Sequence, residues 1–307
     1  MSKVLILHHY EMSPFSEKVR AMFGYCNLEW QSVLTSAMPP RPLLLPLAGG
    51  YRRIPVAQIG ADIFCDTRII SAEVATLTQR PKFAMPSLSA DEQAYIEYLD
   101  SDIFSAAFSA ISPLTLMSSL LRRMSPLKVF ALIRDRLSMA KGGNLRRPSA
   151  KKALMIIRKH MQDLDQRVSN AQYLQGDSPT LADFSAFHSL WFYFAMTRTK
   201  PPSELSNFAA WYARIADFGH GKRQEISPES ALDIAKKALP RAIPDSMRED
   251  ENVGRRVQIS PSDYGLVAVE GVLVGADSER LILAKTSEDL GEVNVHFPRH
   301  GYTLNVV

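Results

Sequence analysis

Cysteine is scarce: the 307 residues hold two, Cys26 and Cys65, and no Cys-x-x-Cys. That excludes a disulfide-stapled scaffold and disfavours thiol–disulfide exchange, which needs a thiolate nucleophile. Both thiols are expected to be ordinary buried groups in a reducing, cytoplasmic setting. Long apolar runs are also missing. At the N-terminus Val4 to Leu7 is an unbroken apolar run of only four residues, too few for a signal peptide, and no run reaches membrane-spanning length, so neither is expected. Zinc-ligand spacing is absent too. His8 and His9 are adjacent and point to opposite faces of an extended chain, and His296 and His300 have no cysteine nearby, so no metal is expected. There is no Gly-x-Ser-x-Gly elbow for a serine hydrolase, and no internal repeat or low-complexity tract. What remains is a globular composition, 46% hydrophobic and 22% charged, with length for two or three domains.

The N-terminal stretch carries the most chemistry. Val4 to Leu7 reads as a strand covered on both faces. Ser13 then reads as an N-cap with Pro14 at the first helical position. Phe15, Val19, Met22 and Phe23 form one apolar stripe, closed by Gly24. The free N–H groups and positive end of that helix therefore face whatever lies beside Ser13, a place that suits a thiolate. Tyr10 is a second hydroxyl within the same segment.

The following residues have the order of a thioredoxin-like domain. A strand is expected over Glu29 to Leu34, then a loop with Pro39, Pro40, Pro42 and Pro46. An apolar strand opens at Ile54-Pro55-Val56, and Asp62-Ile63-Phe64 pairs with it across Gly60. Proline at this first position is compatible with a strand, and its peptide bond is a candidate for the cis isomer. Cys65-Asp66-Thr67 begins another helix, with Ile70, Val74 and Leu77 on one face. Further on, Thr180 and Asp183 form a capping box after Tyr173-Leu174-Gln175-Gly176-Asp177.

Ser13-Pro14-Phe15-Ser16, Ile54-Pro55-Val56 and Asp66-Thr67, together with the Thr180–Asp183 block, resemble the cytosolic glutathione S-transferase family over roughly residues 1–220. The resemblance implies an α/β thioredoxin-like N-terminal domain plus an all-α C-terminal domain, and a homodimer in the family manner. It implies glutathione as cosubstrate, with Ser13 or Tyr10 assisting the thiol. Phe15, Arg53, Ile54, Pro55, Asp66 and Thr67 would bind the tripeptide, Arg53 near its glycine carboxylate and Asp66-Thr67 at its γ-glutamyl end. Tyr95, Phe104 and Phe108 are candidates for the wall of an apolar second-substrate pocket. The implied activity is conjugation of the glutathione thiolate to an electrophilic, largely apolar small molecule. The alternatives are another glutathione-dependent enzyme (peroxidase, isomerase, dehalogenase) or a catalytically inactive binding or scaffold protein.

The expected organisation is 1–80 thioredoxin-like, 87–225 all-helical, 226–256 helix and linker, and 257–307 a small all-β domain. Ser89 and Glu92 should cap the first helix of the helical domain, and further helices are expected over 126–140, 149–169, 180–197 and 204–218. The aromatic blocks 186–194 and 208–212 read as core packing. Short strands are expected at 257–259, 266–269, 272–274, 281–283 and 292–297, separated by glycine turns that include Gly271. The family resemblance is silent over this last module. Between Leu121 and Lys159, twelve Lys or Arg stand against the single acid Asp135, although the whole chain carries only +4. Such a field draws anions, or is simply a solvated helical face. Arg146, Arg147, Lys151 and Lys152 are the side chains through which anion binding would act. Nucleic acid fits poorly, because aromatics are nearly absent from the stretch.

Overall fold

The structure is a computed structural model that describes residues 4–143, 147–288 and 290–307. Arg146 lies outside the described residues. The N-terminal part runs β1 (Leu5–His9), α1 (Pro14–Tyr25), β2 (Glu29–Leu34), α2 (Leu45–Ala48), β3 (Val56–Ile59), β4 (Asp62–Cys65) and α3 (Thr67–Thr78). β1 pairs parallel with β2 and antiparallel with β3, and β3 pairs antiparallel with β4. β1 is buried along its whole length, as its unbroken apolar start requires. The Ile54–Pro55 peptide bond is cis, as is Pro39–Pro40.

The helical part contains α4 (Ala90–Tyr98), a π-helical turn at Leu99–Ile103, and α5 (Phe104–Ser109). It continues with α6 (Pro113–Leu121), α7 (Pro126–Ala140), α8 (Ala150–Arg167), α9 (Leu181–Thr197) and α10 (Ser206–Ala216). Ser89 and Glu92 cap α4 reciprocally. Asp183 accepts from the Thr180 and Leu174 backbone N–H groups and from Trp211 Nε1, each at 2.9 Å, so one buried carboxylate ties the start of α9 to α10 and the preceding loop. The aromatic blocks are core: Phe184, Phe187, Phe208 and Trp211 are fully buried. No single helix among the described residues is long and apolar enough to cross a membrane.

After α10 come β5 (Lys222–Glu225) and α11 (Pro228–Lys236), then β6 (Arg256–Pro261), β7 (Val269–Ala276), β8 (Arg280–Ser287), β9 (Gly291–Pro298) and β10 (Tyr302–Val306). All described strands form one ten-stranded sheet in the order β10-β6-β7-β8-β9-β4-β3-β1-β2-β5. The C-terminal strands extend the thioredoxin-like sheet: β9 lies parallel to β4, with Ile63 opposite Val295. Leu47, Tyr51, Val56, Ile63 and Cys65 share a core with Val257, Leu273, Leu283, Val295 and Phe297.

Two expectations over this module are corrected. Residues 266–268 lie outside any strand, and Val269–Ala276 is one continuous strand through Gly271. Gly271 is there because a Cβ would sit 2.7 Å from the Ala284 carbonyl oxygen, so it serves a close strand approach and not a turn. β5 and β10 were not foreseen; both are short, polar edge strands without a continuous apolar run.

Candidate functional site

Where the two original domains and the C-terminal strands meet there is a cleft of about 370 Å³, within the usual range for small-ligand sites. Phe15, Arg53, Ile54, Pro55, Asp66 and Thr67 all line it, so the six residues expected to hold a tripeptide converge on one space. Local structure explains how. Phe15 stands in the first turn of α1, its ring 4.8 Å from those of Phe104 and His188. Ile54 and Pro55 enter β3. Asp66 is the N-cap of α3 at φ 83°, and its side chain accepts from the Arg68 backbone N–H at 3.0 Å. A non-glycine residue held at positive φ is uncommon and is frequently tied to a site.

The two candidate hydroxyls are placed differently. Ser13 caps α1, accepting from the Ser16 N–H at 3.2 Å, and its side chain is buried at the rim of the helix. The phenol of Tyr10 accepts from Arg136 of α7 at 3.4 Å. Neither is among the described residues that line the cleft. Of the second-substrate candidates, Phe104 packs on Phe15 and Phe108 stacks on Phe192 at 6.2 Å. Tyr95 packs under the guanidinium of Arg167 at 4.6 Å, and Ile96, Glu97 and Asp100 of the same helical segment face the cleft instead.

Several lining residues had no signal in the sequence. Lys18 of α1 donates to Asp100 at 2.6 Å, and His188 meets the other carboxylate oxygen at 3.1 Å. Burial opposes the charge on Asp100, but Lys18 and His188 outweigh it and hold the carboxyl well below its usual range. Asp100 reaches this position from the π-helical turn, an irregularity that often marks a functional place. The C-terminal module adds a wall: Asp263, Tyr264, His300 and Tyr302 line the cleft. The Tyr302 phenol donates to Asp66 at 3.0 Å and lies 2.8 Å from the Tyr51 hydroxyl. Arg53 pairs with Asp263, donates to the Tyr264 carbonyl at 2.6 Å and lies over the Tyr264 ring at 4.0 Å. Burial pushes the Tyr51 and Tyr302 phenols up, so both remain neutral donors. Burial also pushes both thiols up, so neither Cys65 beside the site nor the half-buried Cys26 is an activated nucleophile.

Residues 7–82 match the family model of the glutathione S-transferase N-terminal domain, and residues 123–217 match that of the C-terminal domain. A GST-like protein from Pseudomonas syringae superposes with a TM-score of 0.78 at 29% identity, covering 100% of both chains, C-terminal strands included. A glutathione S-transferase from Rhodospirillum rubrum superposes with a TM-score of 0.50 at 17% identity, covering 69% of this chain and 87% of that one, which speaks for the fold alone. No curated protein matches the sequence. With the N-terminal and C-terminal domain models matched in order over more than half of its length, the chain belongs to the glutathione S-transferase family.

Proposed function

We propose that the protein binds glutathione in this cleft and transfers its thiolate to an electrophilic, largely apolar small molecule, working as a homodimer in the cytoplasm. The convergence of Phe15, Arg53, Ile54, Pro55, Asp66 and Thr67 on one cleft carries the reading. The tripeptide backbone would lie along Ile54-Pro55, with its γ-glutamyl end at Asp66-Thr67. The head of α1, with the hydroxyl of Ser13 or Tyr10, would stabilise the thiolate and lower its pKa towards neutrality. The thiolate sulfur then forms a bond to the electrophilic carbon while the leaving group departs with its electron pair.

Calorimetry with glutathione tests the binding step. Wild type is expected to bind in the micromolar-to-millimolar range, and Asp66→Asn to lose most of that affinity. Asparagine keeps the cap on Arg68 and tolerates positive φ, so the change removes charge with little cost to the helix. No binding by wild type would overturn the proposal.

A second reading is a binding protein without catalysis. The burial of Ser13, together with the prior engagement of Asp66 and Arg53 by the C-terminal module, favours it. Glutathione binding without conjugation across a panel of electrophiles would select that reading.

A further inference from the structure

Every ammonium and guanidinium group on the described lining of the cleft is already matched by carboxylate. Arg53 Nη1 faces Asp66 at 3.6 Å, while its Nη2 is taken by Asp263 and the Tyr264 carbonyl. Arg68 is shared between Glu97 at 3.1 Å and Glu279 at 3.4 Å. Lys18 is committed to Asp100. Three cations on the lining thus face four carboxylates, before Glu279 is counted. A carboxylate arriving on a ligand has no unmatched cation to meet and must displace or approach an existing acid. An ammonium meets the opposite situation, because the lining carboxylates outnumber the cations, and Asp66 has only the Tyr302 phenol at 3.0 Å and the more distant Arg53 guanidinium at 3.6 Å against its outer oxygen.

From this balance we infer that the C-terminal module tunes the cleft towards γ-glutamyl thiols whose C-terminal carboxylate is masked as an amide, with Asp263 the residue that disfavours the free acid. This rests on the glutathione-site reading. Glutathione carries two carboxylates and one ammonium; its glycinamide analogue has the same shape and one carboxylate fewer. Asp263 is the decisive acid because it sits on Arg53 and is half exposed, so it sets charge without holding up the core. Tyr264 and Gly265 anchor its loop, Tyr264 by stacking on Arg53 and Gly265 by donating to the Met139 carbonyl of α7 at 3.0 Å.

The test is calorimetry on the full chain with two probes, glutathione and γ-glutamyl-cysteinyl-glycinamide, in wild type and Asp263→Asn. An ion pair at a half-exposed site is worth up to about 1 kcal/mol, so the amide should bind wild type about fivefold more tightly than the acid. Asp263→Asn should close that gap by strengthening binding of the acid. Added salt should narrow the wild-type gap as well. Equal or tighter binding of the free acid by wild type would overturn the inference and leave the glutathione site standing. An amide preference undiminished in Asp263→Asn would remove Asp263 from the role and overturn it too. Heat from neither probe would instead take down the glutathione-site reading, and the inference with it.

Discussion

Ser13 shows how much one residue can carry and where its legibility ends. A serine followed by proline and a 3.6-residue apolar stripe specifies a capped helix locally, and the cap is present, with Ser13 accepting from the Ser16 N–H at 3.2 Å. Whether its hydroxyl also meets a thiol depends on how the loop before it is held, which is a tertiary matter. Arg20 fixes that loop, donating to the Glu11 carbonyl at 2.8 Å and to the Tyr10 carbonyl at 3.4 Å. The two roles of Ser13 separate experimentally. Ser13→Ala should destabilise the protein by about 1 kcal/mol through the lost cap, seen in the denaturation midpoint whether or not the protein is catalytically active. If the hydroxyl donates to the thiolate, kcat/KM for conjugation should fall by about tenfold at equal folded fraction, as loss of a hydrogen bond to a charged group would give. Tyr10→Phe should then change it little. The reverse order of effects would assign the thiol to Tyr10, whose phenol is braced by Arg136.

At the scale of single elements, the sequence pattern was most informative where one short segment contains its own explanation. Ser89 with Glu92, Thr180 with Asp183, and the apolar start of β1 all appear as read. β1 also holds an element-scale consequence, because its adjacent histidines go to opposite faces and both are buried. Gln58 donates both amide hydrogens to carbonyls, to Gly60 and Ala231, so its oxygen accepts from His8 Nε2. His9 accepts from Arg20 at Nδ1 and meets Ser32 through Nε2, an arrangement that only the neutral ring completes. Burial pushes His8 down to about 4 and, reinforced by the nearby Arg20 charge, His9 down to about 3; burial takes His160 of α8 to about 4. In the unfolded chain these rings bind protons near pH 6.5. Between that value and about 4 the unfolded state therefore holds more protons than the folded one, and stability falls as pH is lowered. The thermal midpoint should be level above about pH 7 and drop continuously from pH 6.5 to 4.5. A midpoint flat across that window would show that the rings are not held neutral.

At the scale of the whole molecule, the sequence shows that a strand-rich module follows the helical domain but cannot show where it attaches. The β4–β9 pairing joins Ile63 to Val295, and no local pattern specifies a parallel register across so long a stretch of chain. The contribution of Asp263 and Tyr302 to the cleft was hidden for the same reason, since they reach it only through that attachment. The junction is built on both faces. Apolar residues from the two parts share one core, and beside it Asp62 and Glu73 are buried with partners from the C-terminal region. His296 meets Asp62 at 2.9 Å, while Arg241 and Arg280 each reach Glu73 at 2.8 Å. Removing residues 256–307 would take His296 from Asp62 and Arg280 from Glu73, leaving Arg241 as the remaining partner of both buried acids, and would uncover the β4 edge and open half of a shared core. The module should therefore behave as part of the first domain and not as a dispensable appendage. A chain ending at residue 255 is expected to partition into the insoluble fraction or to melt at least about 10 °C lower than the full chain, since each kcal/mol shifts a domain of this size by a few degrees. A shortened chain with an unchanged midpoint would mean that the sheet closes at β4 without help. In that event Tyr302 and Asp263 would be additions to a finished site, and the truncated protein should bind glutathione more tightly than the full chain does.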